Sequence, residues 1–217
     1  MTGAEPPGPR PGEVEAAVAS ELPGLRLVWL TVPAGVVSSP PTVVARLRAL
    51  SDRDRGSTVV AMRTRPIPRA YRTCYRQIGL DPDVERIPAE AAATARLLHG
   101  RLRSVDLIAD ACLIALVETG VPVWALDAAA VDAVGPGLGI AQAPADAPAP
   151  VAPGSLVVAD VRRVHAALFG APLARSAPGP STSAVALYAI GVAGVPEIHL
   201  HEALWLACEM LGAAEDG

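Results

Sequence analysis

The chain predicts an α+β fold, a single domain with mixed or antiparallel sheets packed by helices, and three observations carry that expectation. Apolar runs of strand length and helix-length stretches follow one another in irregular order, whereas a doubly wound parallel sheet would show strict βαβα alternation. Turn-forming residues are plentiful, 19 Gly and 22 Pro, and they fall between the runs. A length of 217 residues, 51% of them hydrophobic, lets one core bury roughly 70% of the unfolded surface. One domain is therefore expected over 13–213, after a flexible tail over 1–12 with four prolines and no apolar leader segment.

The elements follow in order. Glu13 to Glu21 reads as a short helix stopped by Pro23 and Gly24, and Leu25 to Val32 is an apolar, β-branched run suited to a buried strand. Thr42 to Leu50 carries Val43, Val44, Leu47 and Leu50 at helical spacing, with Pro41 in the first turn, where its missing N–H is tolerated. Arg69 to Ile78 is helical, since Ala70, Cys74 and Ile78 fall three to four apart and Gly79 ends the run. Ala89 to His99, closed by Gly100, is a further helix. Val105 to Thr119 is an apolar helix-length run in which Asp106 and Asp110, four apart, share a face. Pro122 to Leu126 and Gly137 to Ala141 read as strands, and the Ala/Pro-rich Gln142 to Gly154 as an extended loop. Leu156 to Ala159, Val164 to Phe169 and Ala184 to Val192 are strand candidates, and Leu200 to Leu211 is an amphipathic closing helix.

Composition narrows the function classes. Aromatics are 3% of the chain, so each one stands out, and all 18 basic residues are arginine. Arg46 to Arg103 holds 13 arginines against six acidic residues, a local balance of +7, while the remainder carries −11. Such asymmetry suits contact with phosphates, whose neutralisation releases counterions, and it equally suits a set of solvated helix faces. Cys74, Cys112 and Cys208 are isolated, which argues against a disulfide framework or zinc ribbon and fits a reducing, cytoplasmic setting. The apolar stretches Leu27 to Ala45 and Ser176 to Pro196 are broken by prolines, so no membrane span is expected. His199 and His201 lack a third and fourth ligand at useful spacing, so no metal is expected, and nothing points to a cofactor.

The stretch Arg103-Ser104-Val105-Asp106-Leu107-Ile108-Ala109-Asp110, continuing through Val117-Glu118-Thr119-Gly120-Val121-Pro122-Val123-Trp124-Ala125-Leu126-Asp127, is the most distinctive motif. It resembles, without a gap, a segment of the B3/B4 domain of the bacterial phenylalanyl-tRNA synthetase beta chain. Arg69-Ala70-Tyr71-Arg72 with Gly79-Leu80-Asp81-Pro82, then Pro88-Ala89-Glu90-Ala91, are similar to the entry segments of free-standing members. Gly154 to Asp160 resembles that family's L-V-I-A-D strand, and Thr182 to Tyr188 its T-Q-N-V-L-L-E strand.

The resemblance, from about Pro66 to Leu211, implies a stand-alone domain that binds RNA, with tRNA or aminoacyl-tRNA as partner and no DNA expected. Of the family's editing-pocket residues, Arg103 is retained, whereas Cys112-Leu113, Trp124 and Tyr188 stand at the other positions. An indole and a neutral phenol are not general bases near neutral pH, so no catalytic residue is assigned, and trans-acting deacylation of mischarged tRNA with altered specificity is the alternative to passive binding. A diverged domain contacting proteins or metabolites is the third reading.

The candidate substrate or RNA-binding residues are Arg103, Trp124, Tyr188, Thr182, Asp106, Asp110, Tyr71, Arg72 and Arg76. Arg103 would hold a phosphate or stack on a base, Trp124 would stack, and Asp106 or Asp110 would relay a proton. Each has a plainer role beside it: Arg103 pairing with Asp106, Trp124 filling core, Asp110 accepting backbone hydrogen bonds, Tyr71 and Tyr75 as core. The functional reading requires Arg103, Trp124 and Tyr188 to converge on one solvent-reachable hollow.

Overall fold

The computed structural model describes residues 8–53, 64–132 and 135–213. Met1 to Pro7 of the expected tail, and Arg55 and Arg63 of the basic stretch, lie outside the described residues. The elements are β1 (Arg10–Val14), α1 (Ala16–Glu21), β2 (Arg26–Pro33), α2 (Pro41–Arg53), α3 (Pro66–Gln77), α4 (Pro88–His99), α5 (Leu107–Thr119), β3 (Val123–Asp127), a 3-10 turn (Ala128–Ala130), β4 (Gly139–Gln142), β5 (Leu156–Ala159), β6 (Val164–Ala167), β7 (Ala184–Gly191) and α6 (Glu197–Gly212). Seven strands form one mixed sheet in the order β3-β7-β2-β1-β4-β5-β6. Every pair is antiparallel except β1 with β4. The fold is α+β, as the element order indicates.

β7 is the centre of the larger part of the sheet. Its run Ala-Val-Ala-Leu-Tyr-Ala-Ile-Gly is buried along nearly its whole length, the pattern of a strand covered on both faces. It pairs with β2 along all eight residues, from Arg26 opposite Gly191 to Pro33 opposite Ala184, and with β3 on its other side. α5 is apolar around its circumference and packs on α6, β3 and α2. The Asp106 side chain caps its start by accepting the Ala109 N–H at 2.9 Å, and Gly120 ends it at φ 78°, the left-handed geometry that glycine adopts without strain. A smaller core of Ala143, Val151, Val157 and Val164 fills the space under the Gln142 to Gly154 loop.

The expected tail gives way to a strand at Arg10, and the expected helix ends at Glu21 but begins at Ala16 instead of Glu13. Arg10, Pro11 and Gly12 pair with Trp29, Val28 and Leu27, while Glu13 and Val14 pair with Gly139 and Ile140. No residue of β1 is therefore matched on both sides, which is how Pro11, lacking an N–H, is accommodated inside a sheet. A Cβ on Gly12 would stand 2.3 Å from the Leu138 carbonyl oxygen, so only glycine lets β1 sit this close. The expected strand through Phe169 stops at Ala167, because the chain turns there and Phe169 takes φ 62°. Among the described residues no helix is long and apolar enough to cross a membrane.

Candidate functional site

Five of the chain's few aromatic side chains form one continuous run. Trp124 stacks on Tyr188 with ring centroids 5.4 Å apart and planes 14° from parallel. Their backbones are register partners in β3 and β7, and directly paired residues share a face of a sheet. Trp29 is the β2 partner of the same Tyr188, with the Arg10 guanidinium 3.7 Å above its ring. From Trp124 the run passes to Phe169 at 6.3 Å, and Phe169 stacks on Tyr75 at 5.0 Å and meets Tyr71 edge-on at 5.9 Å. A bulky residue at positive φ is strained, and the strain persists only where surroundings over-determine it. Here those surroundings are three rings around Phe169.

The run ends at a cleft. About 740 Å³ of space lies between α1, the last turn of α3 and the turn after β6, with Tyr75 and Phe169 in its wall. Glu21, Glu85 and Arg86 bring charge to it, and Gln77 and Ser155 bring neutral polar groups. Burial, then the Glu85 carboxylate and Cys74, push the Tyr75 phenol well above its ordinary range, so its hydroxyl stays protonated and available as a donor. Arg69 and Arg76, seven apart on α3 and hence on one face, are exposed, and neither they nor Arg86 form an ion pair among the described residues.

The residues singled out in the sequence have different surroundings. Trp124 and Tyr188 come together, but Tyr188 is shut away from solvent, and Arg103 lies exposed before α5 with no hydrogen bond, ion pair or cation–π contact to either ring. A hollow reachable by solvent at all three positions is corrected by the burial of Tyr188, 1% exposed.

Tyr71 and Arg72 are likewise removed from any RNA-facing surface. Tyr71 is 1% exposed and donates its hydroxyl hydrogen to the Ile190 carbonyl at 2.7 Å. The Arg72 guanidinium is buried against Glu90 at 2.9 Å and Asp83 at 2.7 Å, the pairing that a buried charge needs. Arg76 stays on the surface.

Asp110 is a structural acceptor, not a proton relay. Its carboxylate receives the Ser39 hydroxyl at 2.5 Å, the Ser104 hydroxyl at 2.5 Å and the Val105 N–H at 2.9 Å, tying two loops to the start of α5. Asp106 is occupied as the helix cap. Thr182 donates to Asp127 at 2.9 Å and accepts the Gly179 N–H at 2.9 Å, so it shapes the approach to β7.

Two features went unread in the sequence. Phe169 stood inside an expected strand, and its role as the joint between α3 and β3 has no spacing signal. The second is a buried chain of polar groups: His165 Nε2 lies 3.0 Å from Asp160 Oδ2, and His165 Nδ1 lies 2.9 Å from the Ser176 hydroxyl. A serine, a histidine and an aspartate in line suggest nucleophilic catalysis, yet His165 and Ser176 are 0% exposed, and a nucleophile must meet its substrate. Asp160 also accepts the backbone N–H groups of Asp132, Arg162 and Arg163, so the group locks the β5–β6 turn.

The thiols are equally unsuited to attack. Burial pushes Cys112 up to about 12, with the Asp106 and Cys208 charges adding to it, and raises Cys74 and Cys208 to about 11. Among the described residues no cluster of three His, Cys, Asp or Glu side chains is placed to hold a metal ion. His199 and His201 instead pair with Glu202 and Glu197 on their own helix.

No family model matches the chain, and no curated protein matches it. Fold and cleft together define, among the described residues, an α+β domain with a cleft that has Tyr75 and Phe169 in its wall.

Proposed function

We propose that the protein is a stand-alone B3/B4-type domain that binds RNA, at the aminoacylated acceptor end of a tRNA. The observation that carries this reading is the cleft beside Phe169 and Tyr75. Its volume of about 740 Å³ lies within the roughly 300–1,000 Å³ of pockets that enclose small organic groups. Its chemistry matches the three parts of an aminoacyl-adenosine terminus. The wall, aliphatic apart from the largely buried Tyr75 and Phe169 rings, suits an apolar side chain, Glu21 or Glu85 suits the α-ammonium, and Arg86 suits a phosphate. The exposed Arg69 and Arg76 on α3, next to Tyr75 and Gln77, extend the path for a backbone. The site thus moves from Arg103, Trp124 and Tyr188 to the other end of the aromatic run.

Binding rather than hydrolysis is favoured by the residues at hand. The described cleft lining offers carboxylates but no histidine or cysteine, and the Ser176–His165–Asp160 group is sealed. The test is a titration of aminoacyl-tRNA at low and moderate salt. Binding should weaken steeply with salt, and Arg69→Glu with Arg76→Glu should both weaken it and flatten its salt slope by about two units in log K against log salt. No salt-sensitive binding, or binding indifferent to the double variant, overturns the reading. Release of amino acid from a panel of mischarged tRNAs, measured alongside, would turn the binder into a deacylase.

A further inference from the structure

We propose that a second cavity, separate from the cleft, binds a small apolar carboxylate. It encloses about 310 Å³ between the start of α3, one face of α4 and the end of α5. Its walls are apolar, with Ile67, Pro68, Ala93, Leu102 and Leu116 among them.

The sequence leaves this space open for identifiable reasons. α4 turns the methyl groups of Ala89 and Ala93 toward it, where leucines would fill it, and its one long lining side chain, Arg96, is drawn to the Ser51 carbonyl. α5 ends in Gly120, whose missing side chain would have met Ile67 and Pro68 at 3.4 to 3.9 Å. Interiors pack to crystal-like density, and atoms facing a void forgo their dispersion partners. An apolar guest restores them.

Charge at the mouth selects the head group. The cavity's single carboxylate, Glu118, is already held by Arg46 and by Arg53 at 3.3 Å. Arg96 gives Nε and Nη2 to the Ser51 carbonyl at 3.1 and 2.6 Å, a contact that orients its positive charge without cancelling it. Arg65 forms no ion pair among the described residues and stands at the rim with His199, whose Nδ1 is taken by Glu202. Against these cations stands the partial negative charge at the carbonyl end of α5. The guanidinium groups outweigh it, so the complementary ligand has an apolar body and one anionic head placed by Arg65.

Octanoate and octan-1-ol, titrated calorimetrically into the full chain, test this. Octanoate binds, and octan-1-ol binds at least about tenfold more weakly, because the alcohol forfeits the charge-assisted contact. Ala93→Phe occupies the space and abolishes octanoate binding while leaving tRNA binding unchanged, since the two sites share no lining residue. Arg65→Glu, at an exposed position where folding is not at stake, weakens octanoate by about tenfold and leaves octan-1-ol as it was. The proposal is overturned if octanoate does not bind, if the alcohol binds as well, if Ala93→Phe retains wild-type affinity, or if Arg65→Glu changes nothing.

Discussion

Two polar knots tie this protein together, and they differ in how they carry charge. Around Arg72 the contacts are ion pairs: a guanidinium 7% exposed meets both oxygens of Glu90, at 3.0 and 2.9 Å, and one of Asp83. Around His165 the ring is neutral. Burial depresses its pKa despite the neighbouring Asp160 carboxylate, and Arg163 and Arg175 depress it further. Asp160 itself lies below the usual carboxylate range: its burial opposes ionisation, but hydrogen bonds from the Asp132, Arg162 and Arg163 N–H groups and from His165 more than offset that. The hydrogen-bond pattern then assigns the tautomer, with Nε2–H donating to Asp160 and Nδ1 accepting from Ser176. One knot joins α3 to α4, whereas the other joins the β5–β6 turn to the Ser176 loop and contains a histidine whose depressed pKa makes it sensitive to acid.

The largest effect expected is from opening the ion-paired knot. Arg72→Ala strips the Glu90 carboxylate, itself 5% exposed, of its guanidinium and should cost about 3–5 kcal/mol. Urea denaturation measures it. Replacing both partners with apolar residues, Arg72→Met with Glu90→Leu, should recover most of that loss. A loss of under about 1 kcal/mol for the single variant would mean that the ion pair does not stabilise the α3–α4 junction.

Acidification should open the second knot, and the sign follows from the two shifts. A histidine whose folded pKa is depressed stabilises the fold above its unfolded value, about 6.5, and that contribution is lost as pH falls through the folded pKa. Asp160, also depressed, contributes above about 3.9 and its share is lost at still lower pH. Both losses run the same way. Thermal unfolding followed from about pH 7 to pH 5 should show declining stability in the natural protein, and a shallower decline in His165→Gln. Equal slopes in the two would remove His165 from the account.

How much of the fold and of the site could be read in the sequence is a matter of range. Buried runs announce themselves locally, so β2, β7 and α5 were each legible from apolar stretches and α6 from its amphipathic period, whereas the capping role of Asp106, expected inside its helix, was not. β1 was not, because Pro11 and Gly12 look like linker until the strand's split pairing is known. The α3 pattern gave the helical period but not its direction: Tyr71, Arg72, Tyr75 and Arg76 looked like one ligand-facing set, yet Tyr71 and Arg72 turn into the core, Tyr75 is buried in the wall of the cleft, and Arg76 faces solvent. The cleft joins residues from Val18 to Gly170. Contacts at that separation are set by sheet order, which no single stretch encodes.

A smaller effect tests the inward face of α3. Tyr71→Phe removes one neutral hydrogen bond to the Ile190 carbonyl while keeping the ring against Phe169, so it should cost about 1 kcal/mol. The same denaturation series reads it. A cost near that of Arg72→Ala would place the energetic centre of this junction at the hydroxyl and not at the ion pair.

The smallest stability effect belongs to the outward face of the same helix. Arg69 and Arg76 are solvated and form no ion pair among the described residues, so changing both to alanine should alter stability by no more than about 0.5 kcal/mol. Their neighbour Arg72, the same residue type a few positions away, should matter several times more. That contrast separates the two uses of arginine on one helix: the buried guanidinium is fixed by its carboxylates, while the exposed pair is left available to phosphate. If the double alanine variant unfolds like Arg72→Ala, the outward arginines are structural and the RNA path along α3 loses its basis. If it folds normally and binds aminoacyl-tRNA less tightly at low salt, the two faces are assigned by separate measurements on the same variant.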